Sequence, residues 1–256
     1  FSRLCAEAEK LGIAVLLDGV FSHTGSDSIY FNRQGRDGAG GAYNDPESPY
    51  RGWYSFTHYP TDYESWWGFE TLPNVNETHP GYLDFICGQG GAVQKWMGLG
   101  AAGWRLDVAD ELPDLFLDRF AAAVRGINPQ AALVGEVWED ASNKSSYGKR
   151  RRYLLGGQLN SVMNYPLRWA ILDFIRHGSG TQLAETLFTL LENYPPPVIN
   201  GLMNSLSTHD VERALTALAG QPLQGRDRAW QARHHTLNPE DYACGRVMLM
   251  AASVLQ

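Results

Sequence analysis

Arg105 and Asp107 stand two residues apart in the stretch Gly103-Trp-Arg-Leu-Asp-Val-Ala-Asp-Glu111. On a strand, that spacing points both side chains to the same side. A guanidinium beside a carboxylate favours its ionised form, so Asp107 is expected to have a depressed pKa and to be nucleophilic near neutral pH. An Arg-x-Asp pair alone reads more readily as a structural ion pair at a strand end. Three other apolar runs end on similar groups: Asp18 and His23 follow 13–17, Glu136 follows 132–135, and His209 with Asp210 follows 201–206. One ionised and one protonated carboxyl group brought together are what hydrolysis of a glycosidic bond requires. Asp107 suits the ionised role. Glu136 suits the acid, because the nearby ring of Trp138 could desolvate it and raise its pKa. His209 could donate to a sugar hydroxyl, with Asp210 orienting it. Metal ligation by His23, Asp18, Asp107 and Glu136 is the rival reading. No HxH or HExxH spacing supports it, so neither a metal nor a cofactor is expected.

The elements that must position these groups alternate along the chain. Residues 1–11 are helical in pattern and close at Gly12. The run 13–18 reads as a strand buried on both faces. Residues 24–80 lack periodicity and are rich in Gly, Asn, Pro and Asp, the mark of a long functional excursion or small subdomain. A helix over 85–99 and the strand at 103–107 follow. Then come a helix over 113–127, a strand at 132–136, a weaker strand at 159–164, helices over 167–176 and 182–193, a strand at 201–206, a polar loop at 221–240 and a final helix over 241–256. The basic run 149–152 reads as a solvated face. Five strands alternating with helices predict a parallel sheet whose strand ends converge on one site, the logic of the (β/α)8 barrel. No phosphate-binding glycine turn follows any strand, which argues against a doubly wound nucleotide fold.

Composition sets outer bounds. A length of 256 residues with 44% hydrophobic and 19% charged residues is that of a soluble globular protein. A net charge of −7 excludes a nucleic-acid partner of the usual basic kind. The longest apolar run, 247–255, is too short to span a bilayer, so no membrane association is expected. Three scattered cysteines predict no disulfide framework and suit a reducing, cytoplasmic setting. With 8 Trp and 12 Tyr, many of them between 43 and 67, the chain has rings to stack on sugar faces or to pin long loops.

Five segments taken in order resemble the alpha-amylase family, glycoside hydrolase family 13. They are Asp18-Gly-Val-Phe-Ser-His23, Leu72-Pro-Asn-Val-Asn76, the 103–111 stretch, Glu136-Val-Trp-Glu139 and Ser207-Thr-His-Asp210. The tract Tyr63-Glu-Ser-Trp-Trp-Gly-Phe69 looks most like the neopullulanase, cyclomaltodextrinase and maltogenic amylase branch. The resemblance implies a retaining hydrolase of α-1,4 and also α-1,6 glucosidic bonds in maltooligosaccharides, cyclodextrins or pullulan. It implies Asp107 as nucleophile, Glu136 as general acid/base and Asp210 as transition-state stabiliser. It further implies that His23, Arg105, His209 and Asp18 hold the sugar being cleaved, with Trp138 on the leaving side. A transglycosylase or isomerase on the same fold, and a non-catalytic binding or transporter partner, are the alternatives.

Ser22 stands where many members carry a calcium-binding Asn, so no calcium is expected there. Asp110 and Thr208 also depart from the commoner residues. The resemblance implies a partial (β/α)8 barrel holding strands three to seven, built from 1–23 and 81–256, with 24–80 inserted like a domain B. A partial barrel leaves apolar sheet edges open, so the isolated chain is expected to aggregate and to turn over poorly. Oligomers are possible in a full-length parent.

Overall fold

The computed structural model describes residues 1–256 except 39, 147 and 235. The chain forms two compact units, Phe1–Glu136 with Ser142–Ser161, and Val137–Ala141 with Val162–Gln256.

The first unit runs α1 (Ser2–Glu9), β1 (Leu16–Gly19), β2 (Phe56–His58), β3 (Asp62–Tyr63), α2 (Pro80–Cys87), α3 (Ala92–Gly98), β4 (Gly103–Leu106), α4 (Asp114–Ile127), β5 (Ala132–Gly135), β6 (Ser145–Ser146) and β7 (Lys149–Arg150). The boundary between the units falls inside β8 (Ser161–Val162). The main sheet has the order β1-β4-β5-β8. β1 pairs with β4 and β4 with β5, both in parallel, with Asp18 opposite Arg105 and Arg105 opposite Val134. Strand followed by helix and then parallel strand is the expected α/β arrangement.

β4 is buried along its whole length. Its first residue has to be glycine, because a Cβ there would sit 2.1 Å from the Ala132 carbonyl oxygen. β1 differs from its expectation. It is shorter than 13–18, and Leu16 is 42% exposed, because β1 is an edge strand rather than one buried on both faces. Behind the sheet, α4 turns Phe116, Leu117, Phe120, Ala121 and Val124 inward, the spacing of one helical face. Phe21, Trp104, Phe116 and Phe120 pack there as a cluster of rings.

The helix expected over 85–99 is two helices. Gly88, Gln89, Gly90 and Gly91 separate α2 from α3, with Gly90 in the left-handed region at φ 75°. The 24–80 stretch has its own core: Phe31 is fully buried against Tyr54 at 4.8 Å and Tyr63 at 4.7 Å. Most of its rings therefore pin the excursion. In the basic run, Lys149 and Arg150 are exposed as expected, but Arg151 is only 4% exposed. It donates to the carbonyls of Asp110 and Leu112 and to Ser146 Oγ, and lies over the Tyr153 ring.

The second unit is helical: α5 (Tyr165–His177), α6 (Gly180–Asn193), α7 (Pro196–Ile199), α8 (Ala214–Ala219), α9 (Arg228–Arg233) and α10 (Pro239–Leu255). Asn164 Oδ1 caps α5 by accepting from the Leu167 N–H, and Gly178 ends it in the left-handed conformation. The strand expected at 201–206 is reduced to a single parallel bridge between Met163 and Met203. Pairing stops because the Asn204 N–H turns back to the Leu202 carbonyl, while its side chain bonds Asn164 and Gln256. The loop expected at 221–240 contains α9, whose Asp227 cap accepts from the Trp230 N–H. Among the described residues, no helix is long and apolar enough to cross a membrane.

Candidate active site

Register alone collects the first group of residues. Asp18 on β1 lies opposite Arg105 on β4, and Glu136 follows Val134 on β5 by two residues as Asp107 follows Arg105. All four side chains therefore emerge on one side, at the C-terminal ends of neighbouring parallel strands. Arg105, 9% exposed, is the hub. Its Nη1 lies 2.6 Å from Asp18 Oδ1 and 2.6 Å from Asp107 Oδ1, and its Nη2 lies 2.8 Å from Glu136 Oε2. Glu136 is 5% exposed and also accepts from the Val108 N–H at 2.8 Å.

That last bond depends on an unusual turn. Val108 sits at φ 37°, ψ 55°, in the left-handed region. A β-branched residue there is strained, and such backbone persists only where the surroundings hold it. The Asp107 N–H bonds the Gly19 carbonyl and the Ala109 N–H bonds the Glu136 carbonyl, which fixes both flanks of the turn. Sequence reasoning missed Val108, since nothing in the residue type announces the conformation.

The depressed pKa expected for Asp107 is overturned. Burial raises it above the usual aspartate value, and the charges of Glu136 and Asp18 add to the rise. The Arg105 hydrogen bond and charge act in the opposite sense and are outweighed. One guanidinium shared among three carboxylates is too little positive charge to offset desolvation.

His23 is half-buried beyond this group. Its Nδ1 lies 3.0 Å from Ser22 Oγ, and its ring lies 5.1 Å from that of Trp66. Burial lowers its pKa, against the opposing charge of Glu111, so the imidazole is neutral at pH 7. Trp66 and Glu111 fix its surroundings, and neither residue's type or spacing announces that role in the sequence. Among the described residues, no group of three or more His, Cys, Asp and Glu is placed to hold a metal ion. A cavity of about 570 Å³ lies at the opposite ends of the strands, lined in part by Cys5, Val15, Ala102 and Asn128, and contains none of the site residues.

The second unit gathers the remaining candidates. His209 Nε2 lies 3.4 Å from Asp210 Oδ2, and the Asp210 N–H donates to Thr208 Oγ1. Thr208 Oγ1 is 3.1 Å from the Tyr165 hydroxyl, and the Tyr165 ring stacks on Trp138 at 4.5 Å. Tyr165 thus links Trp138 to the His209–Asp210 loop, a role that its place at a helix start did not signal.

The family description "Alpha amylase, catalytic domain" matches residues 1–238. This chain belongs to the alpha-amylase family. The fold of that catalytic domain is the (β/α)8 barrel, of which the chain holds a part. It is 38% identical over 250 residues to an amylopullulanase of Thermoanaerobacter thermohydrosulfuricus, covering 84% of this chain and 16% of that protein. It is 32% identical over 235 residues to neopullulanase 2 of Thermoactinomyces vulgaris, covering 88% of this chain and 37% of the relative. A solved structure of cyclic alpha-maltosyl-(1→6)-maltose hydrolase from Arthrobacter globiformis superposes with a TM-score of 0.71 at 30% identity, covering 86% of this chain and 48% of that one. The chain therefore spans less than half the length of each of these proteins.

Proposed function

We propose that this chain carries the bond-cleaving centre of a retaining α-glucan hydrolase, acting on α-1,4 and α-1,6 glucosidic bonds of maltooligosaccharides, cyclodextrins or pullulan. The observation that carries the reading is the joint hold of Arg105 on Asp107 and Glu136. The two carboxyl groups lie across the breadth of a single guanidinium, and retaining hydrolysis needs them close, at about 5 Å. The names of the relatives, amylopullulanase and neopullulanase, support an α-glucan substrate.

In this reading Asp107 attacks the anomeric carbon while Glu136 gives a proton to the departing oxygen. Glu136 then takes a proton from water, which releases the sugar from Asp107 with retained configuration. Asp210 stabilises the positive charge that develops on the sugar ring. Arg105, Asp18, His23 and His209 hold the reacting sugar. Trp138, steadied by Tyr165, meets the leaving portion. Residues 1–23 and 81–256 make the barrel part, and 24–80 is an insertion with its own aromatic core. The three cysteines are free thiols, which suits a reducing, cytoplasmic setting.

Asp107→Asn tests the assignment. Turnover of maltoheptaose should fall roughly a thousandfold or more, with the circular dichroism spectrum unchanged. Retained turnover would remove Asp107 as nucleophile.

A further inference from the structure

Trp66 and Trp67 are not placed as core residues are. Trp67 is 76% exposed, although its backbone is held at φ 50°, a strained setting for an aromatic residue. The two indoles stack at 5.1 Å with planes 19° apart, and Phe69 continues the row beyond Trp66 at 6.4 Å and 28°. Glu111 grips both tryptophans: Oε2 accepts from Trp66 Nε1 at 2.7 Å and Oε1 from Trp67 Nε1 at 3.0 Å. The loop beneath is closed by bonds from the Trp66 N–H to Leu72 O and from the Leu72 N–H to Phe69 O. The polar edge of each indole is thus satisfied within the protein. What Trp67 offers to solvent is a broad apolar ring, fixed in place. Such a surface recognises a flat apolar face, and the C–H face of a pyranose ring is one.

Its position names the ligand. The inner ring, Trp66, lies 5.1 Å from His23, which the proposed function sets against the sugar being cleaved. Glu111 follows Asp107 by four residues, so the segment that carries the nucleophile also clamps the platform. We propose that Trp67, backed by Trp66, stacks against a further glucosyl unit of the α-glucan, beyond the one at the bond being cut. It is a specificity-determining surface that favours longer chains. The identity of the ligand rests on the α-glucan reading; the existence of the platform does not.

The test uses Trp67→Ala and Trp67→Phe in two assays. In the first, tryptophan fluorescence follows titration of the protein with maltoheptaose. Wild type should respond, Trp67→Ala should bind about 3- to 10-fold more weakly, and Trp67→Phe should recover most of the affinity. In the second, KM is compared between maltoheptaose and p-nitrophenyl maltoside. Trp67→Ala should raise KM for the long substrate alone and leave kcat unchanged. Ring-dependent binding without hydrolysis of any α-glucan would overturn the proposed function and leave the platform standing. Hydrolysis with an unaltered KM ratio in Trp67→Ala would overturn the platform and leave the function standing. Equal loss in the Ala and Phe variants would also overturn it, since a stacking surface tolerates another ring.

Discussion

Glu77 closes the 24–80 stretch, and burial pushes its carboxyl from 4.5 up to about 8, with the charge of Glu111 adding to the rise. The folded state therefore holds this group protonated at neutral pH, whereas the unfolded chain ionises it from pH 4.5 upward. A folded pKa above the unfolded one contributes stability that is complete below pH 4.5 and is lost as pH rises to about 8. At about 1.4 kcal/mol per pKa unit, the full loss is about 5 kcal/mol. Of this, about 2 kcal/mol falls between pH 6 and 8. Glu77→Gln replaces the protonated acid with a neutral group of the same shape. Its stability relative to wild type should rise by about 4 kcal/mol from pH 5 to pH 9 and then level off. Urea unfolding of both proteins at unit pH intervals measures the difference, in which the titration of every other group cancels. In thermal melts, the wild-type midpoint should drop relative to the variant by roughly 4–8 °C between pH 6 and 8. Two unfolding curves that stay parallel across that range would refute the reasoning, because Glu77 would then titrate alike folded and unfolded.

Two further outcomes follow from packing. Arg151→Ala should destabilise by about 3 kcal/mol, because it strips a buried cation from the carbonyls of Asp110 and Leu112. Lys149→Ala, two residues earlier on the exposed face, should change stability by less than about 0.5 kcal/mol; chemical denaturation of the pair checks the contrast. Gly103→Ala should cost about 3 kcal/mol or more, since the new methyl group would meet the Ala132 carbonyl oxygen at 2.1 Å, and the backbone of β4 or β5 must move. A denaturation midpoint unchanged from wild type would show that the two strands separate easily.

Much of the sheet was legible because apolar runs punctuated by glycine encode buried strands directly, and the i, i+2 spacing of Arg105 and Asp107 places both on one side of β4. What escaped was decided by neighbours distant in sequence. The burial of β1 depends on how many strands flank it, which its own residues do not encode. Arg151 lies in a run of four basic residues, and only the carbonyls of the 110–112 turn distinguish it from Lys149. The direction of the Asp107 shift turned on competition: the arginine was visible, but its sharing with Asp18 and Glu136 was not. The left-handed turn at Val108 runs against residue preference and becomes intelligible only from the bond it gives Glu136.

The sharing of Arg105 has one more consequence. One guanidinium among three carboxylates leaves the cluster with a charge of −2 when all are ionised. Asp18 is half-exposed, but Asp107 and Glu136 are largely shielded from water, so their field is screened weakly and reaches whatever enters. The cluster is then a cation host in waiting. Protonated amino-sugar mimics should be drawn into it more strongly than their neutral counterparts, and ionisation of Asp107, whose carboxyl burial holds above the usual aspartate range, should tighten their grip.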